Sequence, residues 1–200
     1  MSDFLAFAQL GFRHITDPNG LDHVLFLLVL AAIYRPADWR PALWVVTAFT
    51  VGHSITLALA VTGLLALPTP LIEFLIPVTI VATAIENLVQ RDRQDGWRMR
   101  ARPVFAGVFG LVHGAGFANY LRSLFMDDLA VPLVGFNVGL EIGQVLVLAG
   151  AFAAFAALDR LIGLVKLPAR APAPVRLRVI AVSSAVAVVA CAWAVERSPW

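Results

Sequence analysis

Charge is what this chain has least of. Only 14% of its 200 residues are Asp, Glu, Lys or Arg, while 60% are hydrophobic, and the mean hydropathy is +0.83. Soluble domains carry about a quarter of their residues charged, so the class is a polytopic membrane protein. The formal net charge is only +2, and no nucleic-acid partner is implied. Cysteine is nearly absent: Cys191 stands alone, which excludes a disulfide framework and a thiolate metal cage. The three methionines, Met1, Met99 and Met126, lie outside the apolar cores, so a soft thioether site for Cu(I) is not expected. Residues 1–20 lack a basic stretch followed by a long apolar core, so no cleavable signal peptide is evident.

What the chain does have is a series of apolar stretches punctuated by proline and basic residues. The expected fold is an all-α membrane bundle of about six transmembrane helices in a single domain over residues 1–200. Residues 1–20 form an outer-face interfacial segment and residues 21–195 the bundle. Phe4 to Phe12 is apolar but too short to span, and reads as an interfacial or re-entrant helix. Asp17-Pro18-Asn19-Gly20 is a turn by composition. The spans are expected over about 21–34, 42–67, 71–90, 103–125, 129–158 and 175–195. Asp127-Asp128 fall in a turn, and 91–102 form a basic loop. The last span carries no charge or histidine between Val179 and Val195 and is expected to be peripheral.

Basic residues set the orientation. Lys and Arg cluster after the first, third and fifth spans. The loop after the second has none, and the loop after the fourth has Arg122 alone. The first set therefore faces the cytoplasm and both termini face outward.

All four histidines fall on or beside these spans. His14 and His23, with Asp22, stand at the mouth of the first. His53 lies 12 residues past Pro41, roughly 18 Å above the inner edge, and His113 lies 10 past Pro103, roughly 15 Å above it. Glu141 lies 12 past Leu129, roughly 18 Å below the outer edge. In a hydrocarbon core of about 30 Å these three meet near the midplane. A lone intramembrane histidine usually hydrogen-bonds a neighbouring helix. The coincidence of depth is what points to one metal or proton site built from His14, Asp22, His23, His53, His113 and Glu141. Imidazole with carboxylate and no thiolate suits Zn, Ni, Fe or Mn. Thr79, Thr83, Glu86, Asn87 and Gln90 share a helix face, as do Asn137, Glu141 and Gln144. Glu86, Asn87, Asn137 and Gln144 are candidates for an inner path. Interhelical hydrogen bonding is the competing account of both stripes. Phe49 to His53 and Phe109 to His113 form a short internal echo.

These residues resemble those of the HupE/UreJ family of bacterial membrane proteins. The matching pieces include Gly11-Phe12-Arg13-His14-Ile15, Gly20-Leu21-Asp22-His23, His53-Ser54-Ile55-Thr56-Leu57, Ala84-Ile85-Glu86-Asn87, His113-Gly114, and Phe136 through Gln144. They run through the first five expected spans. The family is associated with nickel uptake for hydrogenase or urease maturation. The resemblance implies a bacterial inner-membrane location, a divalent transition metal with Ni2+ favoured over Zn2+, and metal contacts at His14, Asp22 and His23. Seven residues separate His14 from Asp22 here, against five in the family's His-x5-Asp-His pattern.

Three functions fit, in this order. A metal-ion permease would capture the ion at Asp22 and His23 and pass it inward. An intramembrane metal-dependent hydrolase would use the same ligands around an activated water. A sensor or assembly factor would hold the metal without moving it. The lipid bilayer and the metal ion are the primary partners. A metallochaperone or a second copy of the chain is the protein partner to expect.

Overall fold

The computed structural model describes residues 3–18, 20–90, 96–122, 130–165, 168 and 172–200. The expected turn at Asp127-Asp128 lies outside them, as do the first residues of the basic segment 91–102. From Gly96 onward that segment is helical rather than loop. Seven α-helices follow one another among the described residues: α1 (Asp3–Thr16), α2 (Asp22–Ala31), α3 (Trp39–Val61), α4 (Thr69–Val89), α5 (Gly96–Arg122), α6 (Ala130–Leu164) and α7 (Pro174–Glu196). A 3-10 turn, Pro36–Asp38, leads into α3. Prolines open this turn, α4 and α7 in their first two positions, where a missing N–H breaks no helical bond. The expected run of α3 to Leu67 stops at Val61, because Gly63 takes a left-handed φ of 79° two residues later.

Among the described residues, four stretches are long and apolar enough to cross a membrane: Pro36–Val61, Thr69–Val89, Ala130–Leu164 and Pro174–Glu196. Their outward faces are apolar at helical spacing. Val51, Ile55 and Leu59 on α3, and Val131, Val134, Val138 and Ile142 on α6, are exposed. A soluble protein would not leave such stripes uncovered.

The expected first span is shorter than its apolar run. α2 has ten residues, too few to cross alone. Nor does α1 stand apart from the bundle, since it packs lengthwise along α6. A Cβ on Gly135 would meet Phe4, one on Gly139 would meet the Ala8 carbonyl, and one on Gly143 would meet Phe12 and Ile15. Contacts that advance together on both helices mean that they run parallel. α2 continues in the same direction. Just past its end, the carbonyls of Ala32 and Tyr34 accept from Arg178, which also pairs with Asp159 on α6 at 2.6 Å. Gly135 to Asp159 is about 36 Å of α6 at 1.5 Å per residue. Together α1 and α2 therefore form one broken rod beside α6, with the break at 17–21.

α3 and α5 also run parallel and nearly touch. Gly110 packs on the Phe49 carbonyl, Gly114 on the His53 carbonyl, and Gly52 on the Gly107 carbonyl. The two echo segments thus lie against each other, with glycine standing wherever a side chain would separate them.

α7 is tied in at both ends. Arg176 donates to the carbonyls of Asn87, Leu88 and Gln90 at the end of α4. Ser183 is fully buried and receives the Asn87 amide at 3.2 Å. Arg197 reaches Asp22. The apolar middle of α7 leaves Ile180, Val188 and Val189 exposed, as a peripheral helix does, while its ends are anchored. Its polar groups lie in Arg176, Arg178 and Arg197, at the ends of the apolar run.

The glycine contacts give a paired prediction. Gly139→Ala places a methyl group into the Ala8 carbonyl and should destabilise the protein by about 2 kcal/mol or more. The same change at Gly150, which has nothing within 4 Å of its would-be Cβ, should be neutral or stabilise by up to about 1 kcal/mol. Thermal transitions of the detergent-solubilised variants measure both. Equal shifts would refute the close α1–α6 packing.

Candidate metal centre

Three imidazoles converge beside the break. His14 ends α1, His23 begins α2, and His53 lies deep in α3. One ligand nitrogen from each falls within 4.8 Å of the others. His14 and His23 meet edge to face at 4.6 Å between ring centroids, and each ring is 6.0 Å from that of His53. Three nitrogens each about 2.1 Å from a shared ion lie about 3.4–3.6 Å apart, so closing on one ion asks the rings to draw in by about 1 Å. His23 and His53 are buried. His14 Nε2, His23 Nε2 and both nitrogens of His53 have no hydrogen-bond partner. Buried polar atoms are normally paired. Several bare nitrogens brought this close together fit a cation.

His113, on α5, adds a fourth ring, 5.1 Å from that of His23. Its state is set by α4. Thr79 Oγ1 has one proton, and gives it to the Ile76 carbonyl at 2.7 Å. His113 Nε2, 3.0 Å from the same oxygen, must then be the donor. That leaves Nδ1 unprotonated, buried and without a partner. The Thr79 hydroxyl thus fixes which tautomer His113 holds. Thr79 stood in the sequence only as one member of a polar stripe. Its offset to His113 depends on how α4 meets α5.

The other expected ligands have other partners. One guanidinium nitrogen of Arg197 lies 3.1 and 3.3 Å from the two carboxylate oxygens of Asp22. Glu141 accepts from Thr47 on α3 at 2.8 Å. It belongs to a seam in which Thr50 meets Gln144 at 2.6 Å and Ser54 meets Asn137 at 2.7 Å. Of the candidate inner path, Asn137 and Gln144 therefore join α3 to α6. Asn87 holds the Val29 carbonyl at 2.6 Å. Arg102 lies across the face of Glu86 and Asn87, 3.2 Å from the carboxylate and 2.5 Å from the amide oxygen.

A cleft of about 420 Å³ opens onto the histidines from the α1–α2 break. His14, His23 and His113 line its floor, and Asp17, Asp22 and Glu73 are the carboxylates in its walls. Arg197 is the one arginine or lysine among the described lining residues. Three carboxylates against one guanidinium make the approach attractive to cations. Asp17 and Glu73 were not singled out in the sequence. Each lies near the end of an apolar run, where an isolated carboxylate looks like ordinary boundary charge.

The family model described as HupE / UreJ protein matches residues 1–197. No curated protein and no solved structure matches the chain.

The bare nitrogens give a stability test. Leaving a buried polar group unpaired costs about 1–3 kcal/mol. His53→Leu should therefore leave the metal-free protein as stable as wild type, or more stable by about 1 kcal/mol. A large loss of thermal stability in His53→Leu would mean that the imidazole is a structural hydrogen-bonding group.

Proposed function

The chain belongs to the HupE/UreJ family, and we propose that it is a metal-ion permease of the bacterial inner membrane, with Ni2+ the favoured cargo. The observation that carries the reading is the group of unpartnered imidazole nitrogens at the floor of a carboxylate-lined cleft. Asp17, Asp22 and Glu73 draw the cation in. His14, His23 and His53 hold it, and His113 offers its lone pair beside them. Borderline imidazole ligands without thiolate suit Ni2+ and Zn2+. The membrane potential supplies the drive: inward movement of a divalent ion gains about 4.6 kcal/mol per 100 mV, twice the single-charge value.

In this reading the chain crosses the bilayer six times. α1 and α2 make the first crossing together, and α3 to α7 make one each. The basic loops then place both termini outside. Broken helices at a mid-membrane ion site are a recurring transporter design. The break sets the C-terminal, electronegative end of α1 beside the histidines, where a cation gains from it.

One observation favours a second reading, a metal-dependent hydrolase. Arg102 closes the inner side of the path at Glu86 and Asn87, while the cleft stays open beside the histidines. A resident metal there would supply an activated water, and Asp22 or Glu73 would be the nearby carboxylate to take its proton. The two readings part on transport. Proteoliposomes holding the purified chain should accumulate Ni2+ under an inside-negative potential, and His53→Ala should abolish the accumulation. Tight binding without accumulation would leave the hydrolase.

Binding itself should follow ligand chemistry. Removing His53 or His23 should weaken Ni2+ affinity by tenfold or more in calorimetric titration. Imidazole ligates only when neutral, so protonation at acid pH should release the ion. Affinity that survives in both His53→Ala and His23→Ala would move the metal away from the trio.

Topology gives a separate check. In a Cys191→Ser background, cysteines at Ala37 and Ala66 flank α3 on exposed positions. Ala66→Cys should react with an impermeant reagent from outside, and Ala37→Cys only after the inner face is opened. Reaction of both from one side would overturn the orientation.

A further inference from the structure

The metal-binding reading leaves Arg197 unexplained. A guanidinium in a cleft meant for cations opposes the ion it should admit. Its place is well defined all the same. One nitrogen contacts both Asp22 oxygens, at 3.1 and 3.3 Å. The guanidinium carbon stands 5.1 Å from the Trp193 ring centroid, one turn back on α7. Both side chains are partly shielded, Arg197 at 31% and Asp22 at 19% exposure, so the pair is stronger than a fully solvated surface pair. Asp22 immediately precedes His23, whose Nε2 is bare. The carboxylate nearest in sequence to the ligand set is thus already occupied by a cation the chain supplies.

We infer that Arg197 is a tethered competitor for Asp22, which sets the affinity of the histidine centre by releasing that carboxylate only to a divalent ion. The inference rests on the metal-binding reading above. The histidine nitrogens are neutral, so a doubly charged ion among them needs a carboxylate close by to offset its charge in a poorly solvated site. Asp22 supplies it only by leaving Arg197. An ion of charge +2 outbids a single guanidinium for the same oxygens. Sodium or potassium, with the guanidinium's own charge and weaker attraction to imidazole, does not. Arg197 thereby tunes affinity without touching the metal, and keeps Asp22 neutralised when the cleft is empty.

The test is calorimetric titration of the purified full chain with NiCl2. Arg197→Gln removes the competitor and should tighten Ni2+ binding by roughly three- to tenfold. Arg197→Met, which keeps the stem against Trp193, should do the same, and guards against a folding defect in the first variant. Arg197→Lys keeps the charge and should stay within about twofold of wild type. In an Asp22→Asn background, Arg197→Gln should change affinity by less than twofold, since the contested carboxylate is gone. Unchanged or weaker binding in both Arg197→Gln and Arg197→Met would overturn the inference. So would equal tightening with and without Asp22, which would mean a general field effect. A wild-type chain that binds no Ni2+ would remove the metal reading and this inference with it. Wild-type binding that depends on His53 but ignores Arg197 would remove this inference alone.

Discussion

A chain this apolar has little water in its interior, so buried backbone and side-chain polar groups must find partners within the protein. That constraint explains where the few charges go. α2 ends at Ala31, and the chain stays buried through Tyr34, leaving carbonyls with no helical partner. Arg178, fully buried, takes those of Ala32 and Tyr34 and neutralises itself on Asp159. Asn87 takes the Val29 carbonyl, and Arg176 caps the end of α4. The broken rod of α1 and α2 is tolerable because α4 and α7 satisfy the far end of α2. Measured against that discipline, the bare nitrogens of His14, His23, His53 and His113 stand out. They are the largest chemically uniform group of unpaired buried atoms among the described residues, and they face one another.

Glycine sets how close the helices come, and closeness sets the site. His113 reaches the trio because α5 lies against the α3 backbone, with Gly110 and Gly114 seated on the carbonyls of Phe49 and His53. His14 reaches it because Gly135, Gly139 and Gly143 let α1 sink onto α6. A β-carbon at any of the closest contacts would push one histidine-bearing helix outward. The ligand spacing is therefore a property of backbone packing more than of the histidines' own contacts.

Much of this was legible in the sequence. Distances counted from the proline-marked helix starts brought His53 and His113 to similar depth, and both rings do lie beside that of His23, at 6.0 and 5.1 Å. The helix order was legible as well, because each run is bounded by proline, glycine or charge. What escaped was anything that depends on rotation or on pairing. Glu141 has a depth like that of His53, but depth does not say which way a side chain faces, and Glu141 meets Thr47. The joining of α1 and α2 into one rod was hidden because each was judged by its own length. The recurrence of glycine at 135, 139 and 143 was the available signal, since small residues every fourth position make a groove for another helix. The role of α7 was missed because attention to its apolar middle overlooked the arginines at either end.

Under the permease reading, the arrangement of arginines bears on how an ion moves. On one side of the histidines Asp22 is held by Arg197; on the other Glu86 is held by Arg102. A divalent ion resting among neutral imidazoles is poorly compensated, and these two are carboxylates that an arginine already holds. Passage from one to the other requires that each arginine yield in turn. Both yielding at once would leave an uncompensated guanidinium at each end and a continuous polar route between, which is costly in a low-dielectric interior. One yielding while the other stays paired costs less. The pairing of arginines with carboxylates at both ends therefore favours access from one side at a time, and ties the opening of each side to the presence of the ion itself.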